Sequence, residues 1–272
     1  MVHIALRIRI ATALASSLLS VGASAQSPAT AQTEYGFSGS IGGGIAVSPQ
    51  YNGAKKLRAA PIPELSLEYK SQAFGTVDIG ARGLRWAPVA TERYSFGALL
   101  AVGEGRDEKG SGLNRNAVIP QLKGLGRVRV APEAGLFGSV NVVGVEMTAS
   151  VLKGTKKGHN GAHGEYSADV PFMVGAMGVK VGTTLKYGDS KYTQAFFGVT
   201  QAQAVASKLP VFKASAGLVS YGMSIAAEYP LAKSTVLRGF AGIDRLAGDA
   251  AKSPITQKKL QPTAGLMIAY NF

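Results

Sequence analysis

The chain has 272 residues with 29 Lys+Arg against 16 Asp+Glu, a formal charge of +13, and no cysteine, which excludes disulfides, thiolate metal sites and thiol catalysis. Charged residues make up 17%, too few for a disordered basic tail, and glycine, at 35 residues, has nearly twice its usual share of about 7%. No run of 18 apolar residues follows residue 25, so a helical membrane span is excluded.

Residues 1–25 have the order of a secretory signal peptide. Arg7 and Arg9 precede an apolar stretch at 10–21, and Ala23-Ser24-Ala25 supplies the cleavage site. Residues 26–34 read as a flexible periplasmic leader, and 35–272 as a single domain.

From Tyr35 onward the pattern has period two, as strands with two unlike faces require. Tyr94, Phe96, Ala98, Leu100 and Val102 alternate with Ser95, Gly97, Leu99, Ala101 and Gly103. Val219, Tyr221, Met223, Ile225, Ala227 and Tyr229 alternate with Ser220, Gly222, Ser224, Ala226 and Glu228. The second face is small and polar, where a water-soluble sandwich would carry Lys and Glu. A transmembrane barrel has this inverted arrangement, with its apolar face on lipid and its polar face enclosed. It must also close, because lipid cannot satisfy an open strand edge. The expected fold is therefore all-β, a closed antiparallel transmembrane β-barrel in the cell outer membrane.

Candidate strands are 35–48, 57–69, 74–81, 83–89, 94–105, 127–142, 145–153, 165–180, 183–197, 213–229, 235–247 and 261–272. That is about twelve, or ten if neighbours merge. The break at Arg82-Gly83 is the least marked. Tight turns are expected at Gly144 and Gly182, and short connections at 70–73, 90–93 and 230–234. Residues 106–126, 154–164, 199–212 and 248–259 form long connections. Bacterial barrels keep their short turns periplasmic and their long loops outside. Aromatic residues at the ends of apolar faces (Tyr35, Tyr69, Trp86, Tyr94, Tyr187, Tyr229, Phe272) suit interfacial girdles. The last strand alternates through Leu266, Ile268, Tyr270 and Phe272, and its aromatic end resembles the assembly signal read by the barrel-assembly machinery.

The loops carry a resemblance. The run from Tyr192 to Phe212 contains Gln194, Phe196-Phe197-Gly198-Val199, Gln203-Ala204 and Leu209-Pro210. Ser48-Pro49-Gln50-Tyr51-Asn52-Gly53, Pro61-Ile62-Pro63, Leu122-Lys123-Gly124-Leu125-Gly126 and Arg245-Leu246-Ala247-Gly248-Asp249 accompany it in order. Together these resemble the MipA/OmpV family of outer-membrane proteins. Lys208 departs from the family, which commonly has glycine before Leu-Pro. The resemblance implies a scaffold that links a lytic transglycosylase and a penicillin-binding peptidoglycan synthase to the outer membrane. It implies no enzyme and no cofactor.

Eight charges fall on the enclosed face: Glu64, Glu68, Asp78, Arg82, Glu146, Glu228, Arg238 and Asp244. They must pair or meet water. Paired, they form a network that plugs the bore, and unpaired they would line a small-solute channel. His159 and His163 stand four apart among Gly158, Gly161 and Gly164, with no third ligand in view, and read as solvated loop residues. No G-x-S-x-G motif supports a barrel hydrolase of lipid or peptide, the third reading. Lys55, Lys56, Arg58, Lys153, Lys156, Lys157, Lys252, Lys258 and Lys259 cluster at the outer loops, where lipopolysaccharide phosphates are natural partners. Nucleic acid is not an expected partner.

Overall fold

The computed structural model describes residues 35–109 and 118–272, so the signal peptide and leader expected at 1–34 lie outside the described residues. Among these, twelve strands form one closed antiparallel barrel. They are β1 (Gly36–Pro49), β2 (Leu57–Ser71), β3 (Gly75–Gly80), β4 (Gly83–Ala90), β5 (Tyr94–Val102), β6 (Pro132–Val142), β7 (Val145–Gly154), β8 (Ala162–Val174), β9 (Met177–Gly188), β10 (Gly217–Pro230), β11 (Thr235–Leu246) and β12 (Leu260–Asn271). Each pairs with its sequence neighbours, and β1 closes on β12 with Ile41 opposite Tyr270 and Ile45 opposite Leu266. The terminal Phe272 completes the seam by exchanging both backbone hydrogen bonds with Gly39 at 2.9 Å.

The two faces divide as the periodicity predicts. Phe96, Leu100, Leu136, Val151, Met223, Ile225, Leu266 and Ile268 all lie exposed on the outer wall, as do the seven girdle aromatics. Ser40, Ser167, Asp169, Arg238, Gln261 and Thr263 are buried on the enclosed side. That side is not wholly polar: Phe240, Met267 and Ala226 form one apolar patch inside the bore, and Leu99, Phe137, Leu152 and Ala87 another.

Five sequence expectations are corrected. The turn placed at Gly182 is at Gly175-Ala176, where Gly175 takes φ +60°, and Gly182 lies within β9. Residues 183–197 are not one strand, because β9 ends at Gly188 and a helix follows. β6 begins at Pro132 rather than 127, and β10 at Gly217 rather than 213. Val219 does not face lipid. A β-bulge between Leu218 and Ser220 turns it inward, so that it is buried while Leu218 takes the outer position.

The β3–β4 hairpin is short, six and eight residues against fifteen in β2. Its ladder with β2 starts at Leu67–Ile79, so residues 57–66 have no ladder partner on that edge among the described residues. Gly39 bonds to Phe272, so odd-numbered β1 residues bond toward β12 and even-numbered ones toward β2. Through the register, residues 60, 62, 64 and 66 of β2 bond to β1, and Pro61 and Pro63 turn their nitrogens to the free edge. Proline has no N–H to leave unsatisfied there, where each would cost several kcal/mol in lipid. The Pro61-Ile62-Pro63 motif thus marks a notch in the wall.

Candidate functional site

The extracellular end is closed by loops with a core of their own. Helices α1 (Ser190–Phe197) and α2 (Gln201–Ser207) lie between β9 and β10, and α3 (Gly248–Lys252) lies between β11 and β12. Asp189 caps α1 by accepting the Tyr192 N–H at 2.7 Å. Thr200 and Gln203 form a reciprocal capping box on α2. Tyr51, Ile119, Leu122, Leu125, Val199 and Ile255, drawn from four different loops, bury one another. Beneath them Tyr192, Phe196 and Phe197 pack on Val219, Leu246 and Ala250. Loops rooted around the rim can share one core only by meeting over the mouth, so together they make a lid.

Arg106 ties the lid together, donating to the Phe196 carbonyl at 2.7 Å and to the Leu125 carbonyl at 3.4 Å. Loss of hydration lowers its guanidinium to about 10, and burial pushes the Tyr51 phenol up to about 12. Lys208 ends α2 at φ +63°, a left-handed position that favours glycine. Lys208→Gly should stabilise the protein by about 1 kcal/mol, read from its denaturation midpoint.

Asp189 makes the lid pH-sensitive. Burial alone would raise its carboxyl, but backbone N–H groups, with Tyr192 first, and Lys153 at 3.7 Å hold it below the ordinary Asp range. A depressed folded value gives stability that is present above the unfolded pKa, about 4, and lost as pH falls through the folded one. Amide protection factors across α1, corrected for the intrinsic exchange rate, should therefore fall between about pH 7 and about pH 3. Asp189→Asn, which keeps the cap, should remove most of that difference.

Below the lid, charges bridge the bore. Arg238 pairs with Glu228 at 2.6 Å and with Glu64 across the seam, and Ser40 donates to the same Glu64 carboxylate at 2.7 Å. Asp78 pairs with Arg85 at 2.9 Å, and Glu146 with Lys180 at 3.1 Å. Glu68 stays apart, half-exposed beside Lys70. Arg82 and Asp244 line a cavity of about 90 Å³ together with Arg85, Glu104, Glu165 and Lys186. Lys186 there holds Glu104 at 2.6 Å and Glu165 at 3.1 Å. Glu104 lies two residues beyond the end of β5, so this pair ties the loop after β5 to β9. The Arg85 guanidinium sits 5.0 Å above the Phe137 ring. Arg85, Glu104, Glu165, Lys180 and Lys186 are absent from the eight charges expected, although strand parity alone would have put Arg85, Glu165, Lys180 and Lys186 on the enclosed face.

The largest departure concerns the histidines. His159 and His163 are not solvated: they are 5% and 8% exposed, and both address one buried carboxylate, Glu133 on β6. His159 Nε2 meets Oε1, and His163 Nε2 meets Oε2 at 2.9 Å. Tyr192 packs against both rings at 4.9 Å, edge-to-face with His159 and tilted to His163, and its buried phenol has its ionisation pushed up by burial. The third group lay 26 residues upstream, beyond any local motif.

Residues 41–272 match the family model described as MltA-interacting protein MipA. None of the curated proteins matches in sequence. Among solved structures the chain is similar to an anion-selective porin from Comamonas acidovorans, at 10% identity and TM-score 0.39, covering 87% of this chain and 98% of that one. It is also similar to an outer membrane channel from Pseudomonas putida F1, at 12% identity and TM-score 0.42, covering 92% and 100%. Likeness at this distance bears on neither transport nor selectivity.

Proposed function

The chain belongs to the MltA-interacting protein MipA family, and from that membership we propose that this outer-membrane barrel is a scaffold rather than a pore. Its partner on this reading is a lytic transglycosylase of the murein layer, joined by a penicillin-binding peptidoglycan synthase. The observation that carries the reading is the obstructed bore. Four loops share a buried core over one end, Arg238 on β11 pairs with Glu64 on β2, and Lys186 on β9 pairs with Glu104 in the loop after β5. Phe240 and Phe137 occupy further room inside. A barrel filled in this way would meet its partners through its periplasmic turns. The exposed Lys55, Lys56, Lys156, Lys157, Lys252, Lys258 and Lys259 at the outer rim suit the phosphates of lipopolysaccharide and anchor the opposite end.

Two measurements on the purified barrel test this. In planar bilayers the scaffold gives no stepwise conductance, and immobilised barrel retains a purified lytic transglycosylase from solution. Steady unitary conductance with no retention of that enzyme would favour the small-solute channel.

A further inference from the structure

We propose that Glu133, His159 and His163 form a binding site for a divalent transition-metal ion, best matched by Zn²⁺, that clasps the lid to the barrel wall. The ligand atoms all lie within 4.8 Å of one another. Two imidazole nitrogens and one carboxylate oxygen are a borderline donor set. It suits zinc or its first-row neighbours rather than calcium or magnesium, which want oxygen alone, or copper(I), which wants sulfur.

Three features point to a built site. All three side chains are buried, at 2%, 8% and 3% exposure for His159, His163 and Glu133, and they come from separate elements: a loop, β8 and β6. Two glycines make the room. A Cβ at Gly103 would lie 2.2 Å from Glu133 Oε1, and one at Gly154 would lie 2.6 Å from His159 Nε2. Third, His163 Nδ1 is buried without a hydrogen-bond partner, while Glu165 Oε1 stands 4.0 Å away.

That orphan nitrogen is informative. A carboxylate only accepts, so without metal both Nε2 atoms carry protons toward Glu133. A metal ion takes the Nε2 lone pair of each neutral ring, and each ring's single proton passes by way of solvent from Nε2 to Nδ1, so that no net proton is released. On His163 the new Nδ1–H points at Glu165, the carboxylate–histidine–metal relation that orients ligands in many sites. His159 gives up the Gly161 N–H that its Nδ1 accepts at 3.1 Å, one hydrogen bond set against a metal bond. Bound metal would fix the 155–161 loop, and with it Tyr192 and α1, to β6 and β8.

The chain has three histidines, and in a barrel prepared without residues 1–25, which hold His3, a two-imidazole signal can come only from His159 and His163. The test uses untagged, metal-stripped barrel titrated with Zn²⁺. One ion should bind per chain, and X-ray absorption of the loaded protein should show two imidazoles and no sulfur. His163→Gln should weaken binding at least about 100-fold, and Glu165→Gln about 10-fold. Absence of Zn²⁺ binding to the wild-type barrel, or a bound ion without the two-imidazole signature, would overturn the site. So would His163→Gln binding Zn²⁺ as well as wild type. If His163→Gln does not fold, the absorption spectrum of the wild-type protein decides.

Discussion

Ile225→Arg destabilises the folded barrel by about 2–4 kcal/mol, the cost of a charge at mid-bilayer depth on the lipid face. Ser224→Arg, one residue away, costs far less. Ile225 is 47% exposed on the outer wall near the middle of β10, so its replacement must bury a guanidinium among acyl chains. Ser224 points into the bore, where Gly182 and Gly242 leave space and water and carboxylates can receive the group. Urea titration of both variants in lipid vesicles gives the difference directly. Equal midpoints would mean that the two faces have been assigned the wrong way round.

The second large effect is at Arg238. Its guanidinium is 9% exposed and meets Glu228, Glu64, Ser40 and Asn271. Arg238→Ala strands two enclosed carboxylates that no longer have this cation, and breaking such a buried pair costs about 3–5 kcal/mol. The triple replacement Arg238→Met, Glu64→Gln, Glu228→Gln leaves no unpaired charge and should recover most of that loss. A single variant as stable as wild type would show that water already screens the network, which would weaken the obstructed-bore account. The same variants in planar bilayers report whether the bridge blocks ions.

Much of the barrel was legible because its determinants are local. Period-two alternation depends only on adjacent residues, and it gave the lipid face, the twelve strands and the girdles from Tyr35 to Phe272. It failed where another signal competed. Residues 190–197 alternate well enough to pass for strand, yet Asp189 caps a helix there, and the Thr200–Gln203 capping box was a readable sign of helix. One extra residue at the Leu218/Ser220 bulge reversed Val219, and nothing in the neighbouring sequence marks a bulge. The histidine cluster was least legible. Its carboxylate comes from another strand, and only the closed sheet brings β6 and β8 to one rim, each paired with β7 between them.

The protein contains one tryptophan, Trp86, on the outer wall of β4 at 48% exposure. Its fluorescence in vesicles with brominated acyl chains tests most directly whether the apolar surface meets lipid. Strong quenching by the brominated chains, with little by aqueous iodide, is the result that an outward apolar wall predicts. Iodide quenching with no response to bromine would put that wall in water and contradict the membrane-spanning barrel.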